Sequence, residues 1–238
     1  MALDGSREWR WCQEEAPRPD PERNMALDAA MLEAVTTDAS PATIRVYSWA
    51  KPIVTVGRLQ DFSEARRSFP NATLVRRQTG GKAVLHGDDL TVSIAAPERE
   101  VLHGKAGRGV LATHNVLVGA VERAYADFGI RAGCGPSAIG KRAVDGNCFA
   151  LTARCDLRDL VTGLKLLGSA QLRQKGIILQ QMSLRSHQLV NVASADFSKC
   201  LQRCMAEALE IAAWRLEPLS DTEELTASRL MESWQVEA

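Results

Sequence analysis

The chain has 238 residues, 45% of them hydrophobic, and its 29 basic residues balance 29 acidic ones. This composition is typical of a globular protein with a substantial core, and the balanced charge gives no polyelectrolyte tail that would demand nucleic acid. No apolar run approaches the roughly 20 residues of a membrane span, and residues 1–20 carry acidic residues and prolines where a secretion signal is apolar. We therefore expect a cytoplasmic protein with neither a nucleic-acid nor a membrane partner.

Six cysteines are spread along the chain without C-x-x-C spacing, which argues against a zinc ribbon. In a reducing compartment most of them should be free thiols. Cys200 and Cys204 share one face of a predicted helix, four residues apart. A metal site there would need further ligands, and no histidine is near in sequence. We interpret the pair as core packing and expect no bound metal.

The first predicted elements lie in residues 1–22, which are polar and proline-bearing and should form a flexible N-terminal arm. One strand is expected within this arm, near residues 8–12. Residues 24–35 have the apolar spacing of a helix, with Asn24 as its N-cap. Strands are then predicted, in order, at residues 43–49, 53–57, 74–77, 83–86 and 90–95.

The clearest predicted helix covers residues 108–128, where apolar side chains recur every three or four residues and form one stripe. His114 lies on this stripe and is interpreted as a packed histidine. After a glycine-rich connection, a hairpin is predicted around Thr162 and Gly163. Strands at 165–173 and 177–182 and two terminal helices, the second from Asp221, complete a single α+β domain over residues 23–238, with mixed β-sheets flanked by helices.

Two adjacent glycines stand out within residues 76–86, where the sequence reads RRQTGGKAVLH. Gly80 and Gly81 accept positive φ and let another molecule approach the backbone closely. A bend there can present N–H groups to a ligand, and the flanking arginines can neutralise a phosphate or a carboxylate. An ordinary hairpin turn between two strands would show the same pattern.

A second segment, residues 165–171, reads KLLGSAQ. Together, the two segments resemble the glycine loop and the lysine-bearing strand of the lipoate/octanoate attachment family, which comprises lipoate-protein ligases and octanoyltransferases. The family shares a fold with biotin-protein ligase, and the resemblance therefore implies the biotin/lipoate-protein-ligase fold. It spans roughly residues 24–185, and its further matching segments are residues 24–28 (an opening helix), 44–49 with 56–57 (a first hairpin) and 89–93.

The resemblance also implies a catalytic pair. Cys148 precedes Phe149 and stands where the cysteine-dependent octanoyltransferase branch has its nucleophile, upstream of Lys165. A nearby ammonium lowers the pKa of a thiol and can hold an acyl carbonyl oxygen. From the residues alone, Cys148 would be interpreted as a buried core thiol, and Lys165 could point to solvent or into a cleft. The implied substrate-binding residues are Arg76, Thr79, Gly80, Gly81, Lys82, His86, Gly168, Ser169, Ala170 and Gln171.

Several positions depart from the family pattern. Gln181 stands where a histidine is common, and Met182 follows it in place of a glycine. Val92 stands where a tyrosine is common, and Lys82 replaces a glycine or an arginine. These departures concern the acyl pocket and the acyl donor more than the fold.

The activity implied by the resemblance is transfer of an octanoyl group from acyl carrier protein to a lysine of a lipoyl domain, such as that of the glycine cleavage H protein. This transfer needs no cofactor. One alternative is a lipoate-protein ligase that uses ATP and magnesium. The chain ends before the C-terminal accessory domain that many ligases carry, which favours transfer. Another alternative is a member without catalysis that binds an acyl group or a carrier domain.

Basic residues cluster between residues 66 and 82 and again between residues 173 and 185. Such clusters are commonly solvated surface. They would also suit the docking of an acidic partner such as acyl carrier protein, and both interpretations stay open.

Overall fold

The computed structural model describes residues 7–18, 20–134, 156–185 and 194–236. The helices in these ranges are α1 (Pro21–Thr36), α2 (Phe62–Ser68), α3 (Glu98–Val101), α4 (Gly109–Asp127), α5 (Ser194–Leu209) and α6 (Asp221–Val236). The strands are β1 (Glu8–Gln13), β2 (Thr43–Tyr47), β3 (Ile53–Val56), β4 (Leu74–Arg76), β5 (Val84–His86), β6 (Asp89–Pro97), β7 (Ala132–Cys134), β8 (Leu157–Asp159), β9 (Leu167–Gln174), β10 (Ile177–Arg185) and β11 (Ala213–Leu216).

The main sheet has six strands in the order β11-β1-β2-β6-β10-β9. β1 runs parallel to both β11 and β2, whereas β2, β6, β10 and β9 pair antiparallel in turn. The sheet is therefore mixed and is flanked by helices, as expected for the α+β class. Among the described residues, no helix has both the length and the apolar character needed to cross a membrane.

The N-terminal strand lies inside this sheet. β1 has a neighbour on each side, and its Trp9 and Trp11 side chains are buried in the core. Residues 8–13 therefore do not form the expected flexible arm. The sequence did not predict this position in the sheet, because the alternation of bulky and polar residues at 8–13 is short. The parallel partner β11 (Ala213–Leu216) also lies some 200 residues later in sequence.

Two smaller sheets carry the segments between the main strands. β3 pairs in parallel with β4 and antiparallel with β5, and β7 pairs with β8. The expected hairpin between β2 and β3 is wrong, because both edges of β2 are already occupied by β1 and β6. The chain therefore leaves the main sheet after Tyr47 and begins a second one at Ile53.

The core has one layer on each face of the main sheet. Ile94 of β6 belongs to a cluster with Leu117 of α4 and Leu201 of α5. The next residue, Ala95, belongs to a separate cluster with Leu27 of α1 on the opposite face. This alternation is the period of two expected of a strand that is buried on both sides. The helices α1 and α6 thus cover one face, and α4 and α5 cover the other.

Helix α1 begins earlier than its predicted cap. Asp20 is the N-cap, and its side chain accepts hydrogen bonds from the backbone N–H groups of Glu22 and Arg23 at 2.9 and 3.4 Å. Pro21 occupies the first turn, where its missing N–H costs no hydrogen bond. Asn24, the predicted cap, is buried and accepts a hydrogen bond from Arg45 at 2.7 Å.

The predicted helix at residues 108–128 is confirmed as α4. Its apolar stripe is buried only from Thr113 onward, since Val110 and Leu111 are 54% and 59% exposed. The predicted hairpin around Thr162 and Gly163 is also confirmed. Across this turn, Arg158 of β8 pairs antiparallel with Lys165.

Candidate active site

The two motif segments converge on one cavity. We call residues 77–82, which join β4 to β5, the glycine loop. Gly81 of this loop lines the same cavity as Gly168, Ser169 and Ala170 of β9. The cavity volume is about 40 Å³. The remaining lining residues are Met25, Tyr47, Trp49, Thr55, Arg77, Val84, His86, Thr91, Gln181, Met182 and Ser183.

A close backbone contact fixes the glycine loop. Gly81 has a φ of +89°, in the region that favours glycine. A Cβ at Gly57, just after β3, would lie 2.0 Å from the carbonyl oxygen of Gly81. The loop also accepts a 2.9 Å hydrogen bond at the Thr79 carbonyl oxygen from the backbone N–H of Arg58. The end of β3 therefore presses directly on the double-glycine bend.

Buried Arg77 holds the carbonyl oxygens of the loop. Its guanidinium donates to the carbonyl oxygens of Gly80 at 2.5 Å, Lys82 at 2.8 Å and Thr55 at 3.0 Å. These bonds tie both ends of the loop to β3. Since the carbonyl oxygens turn toward Arg77, this residue is the main organiser of the bend. From the sequence, Arg77 was considered as a group that could neutralise a phosphate or a carboxylate.

The neighbouring basic residues contact protein groups outside the cavity. Arg76 donates to the carbonyl oxygens of Gly57 at 2.8 Å and Gln60 at 2.9 Å, and it stacks on the Phe62 ring. The ammonium of Lys82 lies 2.6 Å from the Glu64 carboxylate on α2, and the Lys82 side chain is 47% exposed. Neither residue lines the cavity. Their predicted substrate contacts stay predictions.

A buried relay joins the loop to α1. Thr79 donates a 2.7 Å hydrogen bond to Gln181 of β10, and Gln181 donates a 2.6 Å bond to the Asp28 carboxylate. Asp28 also pairs with Arg45, at 2.7 Å, and all of these side chains are buried. Gln181, where the family commonly has a histidine, thus links the glycine loop to the first helix.

His86, which is paired with Asp89, lines the other side of the cavity. His86 Nδ1 lies 2.7 Å from Asp89 Oδ2, and His86 Nε2 lies 2.9 Å from the Thr55 hydroxyl. The His86 ring also packs against Trp49, with 4.6 Å between ring centroids. Burial raises the pKa of Asp89, but the charge and hydrogen bond of His86 and the bond from Ser183 outweigh it and lower the pKa to about 2.

The residues of β9 divide between the two faces of the sheet. Gly168 and Ala170 lie opposite Ser183 and Gln181 of β10. Gln171 lies on the other face, where its side-chain amide donates to Thr113 of α4 at 3.0 Å. Ser169 accepts a bond from Gln180, and its hydroxyl lies 3.5 Å from His114 Nδ1. Gln171 packs against α4 and does not line the cavity, and its predicted substrate contact stays a prediction.

Lys165 is buried in an ion pair. Its ammonium lies 2.7 Å from Asp156 Oδ2, and the two side chains are 5% and 7% exposed. The predicted strand at 165–173 begins only at Leu167, because Leu166 and Leu167 are both buried and break the alternation. Lys165 therefore does not point to solvent. Asp156 was missed because a lone aspartate before a hairpin carries no sequence signal.

The proposed nucleophile Cys148 lies outside the described residues. Asp156, the partner of Lys165, is the first described residue after this segment, eight positions beyond Cys148. The expected proximity of the Cys148 sulfur to the Lys165 amine stays a prediction.

The fold is that of the lipoate-protein ligases. The chain superimposes on a crystal structure of lipoate-protein ligase A bound with ATP with a TM-score of 0.71, at 20% identity and 94% coverage of both chains. It also superimposes on the bipartite lipoate protein ligase of Thermoplasma acidophilum with a TM-score of 0.69, at 19% identity, covering 94% of this chain and 92% of that one. Both resemblances concern architecture.

Residues 20–213 match the family described as the lipoyl protein ligase A/B catalytic domain, and the chain belongs to this family. It is 34% identical over 183 residues to octanoyltransferase LipM of Oceanobacillus iheyensis, covering 74% of this chain and 63% of that one. It is 32% identical over 188 residues to octanoyltransferase LipM of Bacillus cereus, covering 74% and 65%. The chain thus spans somewhat less than two thirds of the length of these relatives. The predicted family and fold are confirmed.

Proposed function

We propose that this protein is an octanoyltransferase that moves an octanoyl group from acyl carrier protein to a lysine of a lipoyl domain, through an acyl-enzyme on Cys148. The observation that carries the proposal is the cavity shared by Gly81 and Gly168 to Ala170, two segments far apart in sequence. Relatives that are 32–34% identical to this chain are octanoyltransferases, which supports the same reaction.

The first chemical step exchanges one thioester for another. The Cys148 thiolate attacks the acyl carbonyl carbon, the new carbon–sulfur bond forms, and the bond to the carrier's sulfur breaks. The carrier leaves as a thiol after taking up a proton. A lysine amine of the acceptor then attacks the acyl-enzyme, forms an amide and releases the Cys148 thiol. Because the donor is already a thioester, neither step needs ATP.

The ammonium of Lys165 is the proposed electrostatic partner of this reaction. Its burial reduces screening by water, and the Asp156 carboxylate restrains its position. In the proposed mechanism it stabilises the Cys148 thiolate and the negative charge that develops on the acyl oxygen. Backbone N–H groups of the glycine loop would act on the same oxygen, an effect worth about 3–4 kcal/mol for each well-placed donor.

The cavity supplies apolar contacts for the acyl chain. Met25, Trp49, Val84 and Met182 contribute apolar surface to its lining. Its volume of about 40 Å³ is far below the roughly 300 Å³ of a small-molecule pocket. An eight-carbon chain can therefore enter only if these side chains move apart. Methionine is suited to this because its unbranched side chain adapts its shape at low cost.

The acceptor in this proposal is a lipoyl domain, with the glycine cleavage H protein as the specific candidate.

The exposed cations near the glycine loop include Arg67 and Lys82. They are suited to an acidic carrier protein, whereas Arg77 is buried and holds the loop instead.

Peptide mapping after mixing the protein with octanoyl carrier protein tests the proposal. We expect an octanoyl adduct on Cys148, its loss in Cys148→Ala, and its retention in Cys134→Ala, which removes an exposed cysteine of β7. Turnover with an unmodified Cys148 would contradict the mechanism.

Two other results would identify the competing functions. Pyrophosphate exchange from ATP that depends on octanoate or lipoate, and that persists in Cys148→Ala, would identify an ATP-dependent ligase. Tight carrier-domain binding without either activity would identify a non-catalytic member of the family.

A further inference from the structure

Away from the cavity, three potential metal ligands meet where α4 and α5 pack together. Asp127 is the last residue of α4, and Cys200 and Cys204 lie one turn apart on α5. Their ligand atoms all lie within 4.8 Å of one another. We call these residues the thiol–carboxylate cluster. The third ligand, which the cysteine spacing alone does not supply, comes from a helix some 70 residues earlier in the chain.

We propose that the thiol–carboxylate cluster binds a thiophilic divalent cation, of which zinc is the type, and thereby fastens α4 to α5. Two thiolates and one carboxylate are a donor set that zinc accepts, and a water molecule can complete a tetrahedral site. The chemical class of the ligand is therefore a metal ion and not an organic cofactor.

The distances within the cluster fit this geometry. In a tetrahedral zinc site with ordinary bond lengths, neighbouring ligand atoms lie about 3.5–3.8 Å apart. The Asp127 oxygen lies 3.2 Å from the Cys200 sulfur and 3.9 Å from the Cys204 sulfur. Only small side-chain rotations are needed to bring both sulfurs and the oxygen around one ion.

A positive side chain lies beside the cluster. Two thiolates, one carboxylate and a divalent cation leave a net charge of about −1. Arg203 contacts the same Asp127 oxygen, and its guanidinium lies 3.6 Å from the Cys200 sulfur. Arg203 also pairs with Glu207 at 3.1 Å, so its positive charge is shared between the cluster and that carboxylate. Since Asp127 has a second oxygen, it can keep the arginine contact while it ligates the metal.

Titration of the full chain with cobalt(II) tests the proposal, because thiolate ligation gives a sulfur-to-cobalt charge-transfer absorption. We expect saturation at about one cobalt per chain. Cys200→Ser should abolish the band, and Asp127→Asn should weaken cobalt binding at least tenfold. Asp127 is exposed and Cys200 is only partly buried, so both variants are expected to fold. In the parent protein, zinc should displace the cobalt and raise the melting temperature. In Cys200→Ser and Asp127→Asn, zinc should leave the melting temperature unchanged.

Two matched controls locate the bound metal. Cys134→Ser, which alters an exposed cysteine of β7, and Cys148→Ser should both retain the cobalt band. Loss of the band in Cys148→Ser with retention in Cys200→Ser would place the metal at the proposed nucleophile and overturn the inference. The parent protein's failure to develop a thiolate–cobalt band would overturn it as well.

Discussion

Replacing the two members of the Lys165–Asp156 pair separately and together distinguishes its structural role from its chemical one. The charged atoms are 2.7 Å apart and both side chains are at least 93% buried. With an effective dielectric constant of about 20, their gross attraction is about 6 kcal/mol. Most of this offsets desolvation, and breaking a buried ion pair by removing one of its members typically costs about 3–5 kcal/mol.

We therefore expect Lys165→Met and Asp156→Asn each to lower the free energy of unfolding by about 3 kcal/mol or more. The double variant Lys165→Met/Asp156→Leu removes both charges of the pair. Its stability should return to within about 1 kcal/mol of the parent, since well-packed apolar residues commonly replace buried ion pairs without loss. Octanoyl transfer, however, should stay abolished. Urea unfolding and a transfer assay on the same preparations measure the two effects.

The exposed pair of Lys82 and Glu64 provides the matched control. Its side chains are 47% and 34% exposed. Lys82→Met should therefore change the unfolding free energy by less than about 1 kcal/mol. Parent-like stability in Asp156→Asn would refute the buried-pair reasoning. Normal transfer by the double variant would show that the lysine has no part in the chemistry.

Three further outcomes follow from the site. Gly57→Ala should lower both stability and transfer severely, because its Cβ would meet the Gly81 carbonyl oxygen at 2.0 Å. Gly119→Ala is the control: its Cβ would meet open space, so its melting temperature in thermal unfolding should stay close to that of the parent. Gln181→Leu removes the link between the loop and α1 and should cost about 1–3 kcal/mol in urea unfolding. Asp89, whose pKa falls from 3.8 to about 2 on folding, should contribute about 2 kcal/mol of stability above pH 4. That contribution is lost as the pH falls toward 2, so Asp89→Asn should flatten the acid limb of the stability profile.

Local patterns in the sequence predicted much of the fold. The helix at Gly109–Asp127 follows from its apolar spacing, and the hairpin before Lys165 follows from its glycine. What escaped prediction depends on contacts distant in sequence. Asn24 was predicted as the N-cap of α1, but the N-cap is Asp20, which precedes a proline. Asn24 is instead bonded to Arg45 of β2, a contact that local sequence does not reveal.

The site shows the same division. Parts of the two motif segments line one cavity, while the roles predicted for their residues stay predictions. The partners that orient them, Asp156 for Lys165 and Asp28 for Gln181, were not predicted because a single carboxylate has no periodicity or spacing to mark it. Asp127 was missed for the same reason, since only the packing of α4 on α5 brings it to Cys200.

A single-turnover chase tests the proposed acyl-enzyme most directly. The octanoylated protein is separated from the carrier and mixed with lipoyl domain in the absence of ATP, and the octanoyl group is followed by mass spectrometry. We expect it to leave Cys148 and appear on the acceptor lysine at least as fast as steady-state turnover. An adduct that persists while the acceptor stays unmodified, or an acceptor modified only when ATP and free octanoate are added, would contradict the proposal.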